Sequence, residues 1–207
     1  MSKTDFKKSM KELFAPSAND FSIVDVPAMH FLMIDGIGSP NADQQGEYAQ
    51  ALAALYPMAF KLKFLSKKVL GRDYVVPPLQ ALWWADDMDV FLTGDKDQWQ
   101  WTVMIMQPEW ITGEHVAEIR QMVAASGDLP ALSKLRLETY SEGMAVQIMH
   151  IGPYSQEGPT LKRLHEDYIP QNGLIENGHH HEIYLGDPRK TAPEKLKTVL
   201  RQPVRPK

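Results

Sequence analysis

Glu182 and Tyr184 stand two positions apart in the apolar run His181-Glu-Ile-Tyr-Leu. In a β-strand, residues at that spacing share a face, so a carboxylate and a phenol point the same way. A carboxylate in such surroundings could pair with a cationic ligand. With a pKa raised by burial, it could instead act as a general acid or base on a water molecule. The plainer alternative for Glu182 is an exposed strand charge beside the run His179–His181. Tyr154 follows the Gly152-Pro153 turn, where its ring can lean over a site and its hydroxyl can donate to a developing negative charge. Glu182 and Tyr154 are therefore the catalytic candidates.

The aromatic and sulfur residues supply surfaces rather than reactive atoms. Five tryptophans and eleven methionines are unusual in a chain of 207 residues. Trp83 and Trp84 are adjacent in a strand pattern and must point to opposite faces; alignment of the two halves places Trp84 opposite Tyr184, so Trp83 is expected in the core and Trp84 on the open face. Trp110, just beyond a strand end, fits either a pocket lip or a cap on the core. Met104 lies in the alternating strand Trp99-Gln-Trp-Thr-Val-Met-Ile-Met, where its adaptable thioether could line a pocket. The expected ligand-binding set is Trp84, Trp110, Tyr184, Glu182, Tyr154 and Met104.

Other chemistries find little support. His179, His180 and His181 alternate along a strand, so at most two share a face, and no third ligand is suitably spaced. Asp86, Asp87 and Asp89 lack the spaced ligands and closing glutamate of a calcium loop. Gly36-Ile-Gly38 lacks the third glycine of a dinucleotide fingerprint. The chain has no cysteine, which removes disulfides and thiolate chemistry. No metal or cofactor is expected. A net charge of −4 gives no general attraction to nucleic acid, and Lys61, Lys63, Lys67 and Lys68 read as a solvated helix end. Membrane spans and a signal peptide are both absent from the pattern, and a cytoplasmic location is expected.

The elements that must position these residues follow from periodicity. Residues 1–20 read as a tail or short helix, followed by strands at Phe21–Val26 and Met29–Asp35. Apolar positions Leu52, Leu55, Ala59 and Leu62 predict a helix from Gln44 or Gln45 to Val69, kinked or broken at Pro57 and ended by Gly71. Strands are expected at Leu79–Trp84 and Trp99–Met106, then a helix from the N-cap Thr112 to about Ala125. Strands Leu135–Tyr140 and Met144–Ile151 read as a hairpin through Glu142-Gly143. A helix at Gln156–Tyr168 and strands at His181–Leu185 and Thr198–Pro203 complete the chain.

The two halves repeat this order. Phe31-Leu-Met-Ile-Asp-Gly-Ile-Gly corresponds to Val146-Gln-Ile-Met-His-Ile-Gly-Pro, and Leu82-Trp-Trp-Ala-Asp-Asp87 corresponds to Glu182-Ile-Tyr-Leu-Gly-Asp187. The predicted fold is α+β: duplicated strand–helix–strand–strand units in an antiparallel sheet, with helices on one face and a ligand pocket on the other. The pseudo-repeats span about 21–110 and 131–207, within a single domain over 21–207.

Three segments carry a resemblance. They are Met149-His-Ile-Gly-Pro-Tyr-Ser-Gln-Glu-Gly-Pro-Thr-Leu, His181-Glu-Ile-Tyr-Leu-Gly-Asp-Pro-Arg-Lys-Thr-Ala-Pro-Glu-Lys-Leu-Lys-Thr, and Tyr56-Pro-Met-Ala-Phe-Lys-Leu-Lys-Phe with Leu82-Trp-Trp-Ala-Asp. Their order and spacing resemble the GyrI-like small-molecule-binding family over about residues 20–204. The resemblance implies kinship with the effector-binding domains of multidrug-sensing transcription activators. In those a buried acid on the Glu-x-Tyr strand, here Glu182, faces cationic aromatic drugs. It implies a hydrophobic or cationic aromatic small molecule, a xenobiotic, held on aromatic side chains between the halves. Free-standing members similar to this chain include hydrolases that open the cyclopropane ring of DNA-alkylating natural products, a detoxification, and others act as adaptors that inhibit protein targets. No helix-turn-helix precedes residue 20, so neither a nucleic-acid nor a membrane partner is expected.

Overall fold

The computed structural model describes residues 3–40, 45–86 and 96–207, which form two compact units with an α+β fold. Asp87 and Asp89 lie outside the described residues. Unit one comprises Met1–Phe6, Met29–Pro77 and Ala81–Tyr140; unit two comprises Lys7–Ala28, Pro78–Gln80 and Ser141–Lys207.

In unit one, β2 (Met29–Ile37) pairs antiparallel with β4 (Gln100–Gln107) on one side and β5 (Arg136–Tyr140) on the other. β3 (Leu79–Trp84) follows beyond β4. β4 is buried at every position from Trp101 to Gln107, as a strand covered on both faces must be. Gly36 is opposite Trp101 in the ladder, and a Cβ there would collide with the indole. Glycine is what lets that ring lie flat against the neighbouring strand.

α3 (Glu47–Lys68) packs on β2 and β4, and α4 (Gly113–Ala124) packs on α3. The expected break at Pro57 does not occur; α3 runs through it unbroken. A helix-interior proline costs roughly 3 kcal/mol. Burying a single large apolar side chain contributes about 1.5–3 kcal/mol, and Leu55, Met58 and Leu62 are each wholly buried. Packing therefore outweighs the lost hydrogen bond. α4 begins as expected: Thr112 forms a capping box with His115.

In unit two, β6 (Gly143–Ile151) lies between β1 (Ser22–Val26) and β9 (Lys197–Pro206), and β8 (His180–Tyr184) pairs with the far side of β9. A short strand absent from the sequence expectation, β7 (Leu174–Glu176), pairs with the C-terminal end of β9. The helix expected over Gln156–Tyr168 starts later and runs on, as α5 (Gly158–Lys162), a π-helical section (Arg163–Tyr168) and α6 (Ile169–Gln171). Its Leu164 and Ile169 pack on Val146, Leu174 and Val204. Residues 6–14 form two short helical turns, α1 (Phe6–Ser9) and α2 (Lys11–Phe14), with Leu13 and Phe14 buried.

The hairpin expected between β5 and β6 is not formed. β5 pairs with β2 in unit one, whereas β6 pairs with β1 and β9 in unit two. The first strand of each half thus pairs with the second strand of the other half. Gly143 does adopt the left-handed conformation (φ 71°), but Glu142 beside it turns inward. Its carboxylate accepts hydrogen bonds from Arg201 Nη1 (3.1 Å) and lies 2.9 Å from His181 Nδ1. A buried charge is retained only with such partners, so this position is set by tertiary contacts rather than by turn geometry.

Candidate functional site

β8 alternates in burial as its sequence requires: His181 and Ile183 are buried, while His180, Glu182 and Tyr184 are half-buried on the other face. The ladder extends this division across the sheet. Gln147, Arg201 and His181 are register partners on β6, β9 and β8, and so occupy one face together. Arg201 donates to Gln147 Oε1 and to the Leu13 carbonyl (2.7 Å), and the second nitrogen of His181 lies 2.9 Å from the Gln80 side-chain oxygen. His181 therefore belongs to a packed polar core, not to an exposed histidine run.

The opposite face carries the candidate residues. Tyr184, Thr198 and His150 form one row of register partners, and Glu182, Leu200 and Ile148 the next. This is also the face of Val146, on which the helical run packs. Ahead of that run, a single 3-10 turn (Tyr154–Gln156) carries the chain from Gly152-Pro153 to Glu157, whose amide donates to the Tyr154 carbonyl at 3.1 Å. The turn delivers two groups at once. The Tyr154 ring stands edge-on to Tyr184, with centroids 5.7 Å apart, and the Glu157 carboxyl enters the interior, where only 5% of the residue remains exposed.

Burial, together with the negative charge of Glu182 beside it, pushes the Glu157 carboxyl up to about 9. Glu157 is thus a neutral acid at pH 7, able to donate a proton next to a second carboxylate. Among the described residues, Glu157 Oε1 and both ring nitrogens of His180 are buried without a hydrogen-bond partner, and the Thr198 hydroxyl stands beside Glu157, where it offsets part of the rise. His180 Nε2 lies 3.7 Å from Glu182 Oε1. Native interiors rarely leave such atoms unpaired, and clusters of them mark places where polar ligand atoms or water bind.

The structure thus brings together Tyr154, Tyr184 and Glu182, and adds Glu157, Thr198 and His180, which sequence reasoning missed. Glu157 lies within the Gly-Pro-Tyr-Ser-Gln-Glu segment, so a signal was present; nothing local indicated that it would be buried. The remaining candidates belong to unit one. Trp83 is buried and stacked on Tyr48 (5.8 Å, 18°), whereas Trp84 is half-buried. Trp84 Nε1 donates to Gln100 Oε1 at 3.0 Å, and Gln100 Nε2 donates to Asp86 at 2.9 Å, which fixes the indole plane. The ring borders an open recess of about 390 Å³ shared with Asp35, Gly36, Ile37, Glu47, Gln100 and Lys134.

Trp110 is anchored elsewhere. Its indole donates to Ser66 Oγ and meets Tyr74 edge-on, and Tyr74 in turn bonds Gln107 at the far end of β4 from Gln100. At roughly 3.4 Å per strand residue those two ends are about 24 Å apart. Trp84 and Trp110 therefore cannot touch the same small flat molecule. Met104 is wholly buried mid-strand opposite Met33.

The chain matches one family. The model of the GyrI-like small molecule binding domain matches residues 19–205. The chain belongs to the GyrI-like family. A conserved protein from Listeria innocua is 38% identical, with a TM-score of 0.89 over 98% of this chain and 100% of its own. A hydrolase from Listeria innocua is likewise 38% identical, with a TM-score of 0.83 over the same shares of both chains. The C-terminal domain of EcmrR, at 11% identity and a TM-score of 0.56, covers 91% of this chain and 98% of its own and shares the fold alone. Comparison with curated proteins gives no match. As a GyrI-like chain, this is a small-molecule-binding domain. Among the described residues no helix is long and apolar enough to cross a membrane.

Proposed function

We propose that this GyrI-like domain binds a flat hydrophobic or cationic aromatic xenobiotic, with the Glu157–Glu182 carboxyl pair as its polar anchor and Tyr154 and Tyr184 as its aromatic contacts. The observation that carries this reading is the group of buried polar atoms around Glu182 that are unpaired among the described residues, flanked by two edge-to-face tyrosines. A carboxylate beside aromatic rings suits a delocalised cation, whose charge is attracted by both. Trp84, held in plane by Gln100, borders the separate recess of unit one. Met104 and Trp110 have no part in this site.

A second reading, hydrolysis, is favoured by the pairing of a protonated carboxyl with a carboxylate. A strained cyclopropane conjugated to a carbonyl would be opened by water. The water oxygen bonds to a ring carbon as the carbon–carbon bond breaks, and the electron pair passes to the carbonyl oxygen. Glu182 takes the water proton, and Glu157 or the Tyr154 hydroxyl supplies one to that oxygen. The hydrolase from Listeria innocua supports this reading by its likeness. The domain would then serve detoxification in the cytoplasm. An adaptor role has no specific observation in its favour.

Glu182→Gln separates the readings. With a cyclopropane-bearing alkylator analogue, a hydrolase variant keeps binding and loses turnover, whereas a binder of cations loses affinity and neither form yields product. Unchanged binding of cationic and neutral aromatics, together with unchanged product formation, would remove Glu182 from the site.

A further inference from the structure

His180 is the group nearest to Glu182 that the proposed function leaves without a task. Its side chain is 12% exposed, its Nε2 lies 3.7 Å from Glu182 Oε1, and neither ring nitrogen has a hydrogen-bond partner among the described residues. An imidazole enclosed in this way is not a structural linchpin of the kind that His181 is. His181 points to the opposite face and is held by Glu142 and Gln80.

The other charged neighbours are few. From the π-helical section, the His165 ring lies 6.2 Å from that of His180, and its Nδ1 meets Glu176 Oε1 of β7 at 2.7 Å. His165 holds the Glu176 carboxyl below its ordinary value, with His180 adding to the effect. Glu176 is hydrogen-bonded to His165, and Glu182 is the carboxylate that stands within 4 Å of the His180 ring. Burial and the negative charge of Glu182 push the Glu157 carboxyl up to about 9, so Glu157 is the neutral member of the pair.

We infer that His180 determines the charge selectivity of the Glu157–Glu182 site. With His180 neutral, the site carries a net negative charge and selects a monocationic aromatic ligand. With His180 protonated, that charge is cancelled and a neutral aromatic of the same shape binds as well or better. The inference rests on the reading of this carboxyl pair as the ligand anchor. It adds a residue, a ligand class and a condition under which the preference changes.

The test uses two near-isosteric fluorescent probes, the permanent cation N-methylacridinium and the neutral methylanthracene. Each is titrated into the full chain between about pH 5 and about pH 8, the range in which imidazoles ordinarily titrate. In the wild type, the ratio of cation to neutral affinity should fall by about tenfold or more on acidification. In His180→Gln the ratio should stay high and flat, and in His165→Gln it should follow the wild type. A flat wild-type ratio overturns the inference, whatever the stability of the variants, as does a His180→Gln profile that keeps the wild-type slope. Probe binding that disappears in Glu182→Gln, yet shows no pH-dependent ratio, overturns the role of His180 alone. Binding of neither probe, or binding untouched by Glu182→Gln, overturns the ligand site itself and the role of His180 with it.

Discussion

Glu142 and Arg201, 59 positions apart in the chain, meet at 3.1 Å in the interior of unit two, with His181 on the other carboxylate oxygen. Burial works to raise the Glu142 pKa, but His181 and Arg201 more than offset it and keep the group ionised. Removing the carboxylate leaves the guanidinium buried without its counter-charge. Glu142→Gln should therefore destabilise the protein by about 3–5 kcal/mol. Urea unfolding would measure it, and a loss under about 1 kcal/mol would mean that the pair is replaceable by neutral hydrogen bonds. The double variant Glu142→Gln with Arg201→Met should recover part of the loss.

The same cluster sets a response to acid. Burial holds His181 below its ordinary 6.5, and Glu142 sits below 4.5. In both windows the unfolded chain binds a proton that the folded protein refuses, so stability rises with pH. Melting temperature should fall as pH drops below 6.5, and fall further below 4.5. His181→Gln, which keeps a neutral amide in place, should flatten the first of these declines. A decline as steep as in the wild type would assign it to another group.

Glu157 works in the opposite direction. Its folded value of about 9 lies above the 4.5 of a free carboxyl, so the folded state keeps a proton that the unfolded chain has lost. The contribution is fully present below 4.5 and is lost as pH rises toward 9. Glu157→Gln should thus gain stability relative to the wild type as pH rises across that interval. Parallel melting curves at every pH would show that the wild-type carboxyl is ionised in the folded state.

Gln100 holds the Trp84 indole through one hydrogen bond while itself bonded to Asp86. Gln100→Leu should cost roughly 1 kcal/mol of stability. It should also broaden the Trp84 lifetime distribution and lower its steady-state anisotropy, read in a background with the other tryptophans changed to phenylalanine. An unchanged anisotropy would mean that packing alone fixes the ring.

Gly36→Ala places a methyl group against the Trp101 ring, and overpacking of this kind typically costs about 1–3 kcal/mol. Gly113→Ala meets nothing within 4 Å among the described residues and serves as the neutral control. Equal stability of the two variants in thermal melts would mean that Trp101 moves aside without cost.

Periodicity and punctuation by themselves determined most elements of this protein. The alternation of β8 put Glu182 and Tyr184 on one face, and Thr112 opened α4. These are local properties, fixed by residue type at spacings of two to four. Pairing was not legible. β5 and β6, joined through Glu142-Gly143, read as a hairpin, yet each pairs with a strand from the other half of the chain, because ladder partners are chosen by complementary burial and not by proximity in sequence. The interior charges were decided in the same way. Nothing in the neighbourhood of Glu142 or Glu157 distinguishes them from surface glutamates. Only the fold supplies Arg201 and His181 to keep the first ionised, and the burial and nearby charge of Glu182 that keep the second protonated.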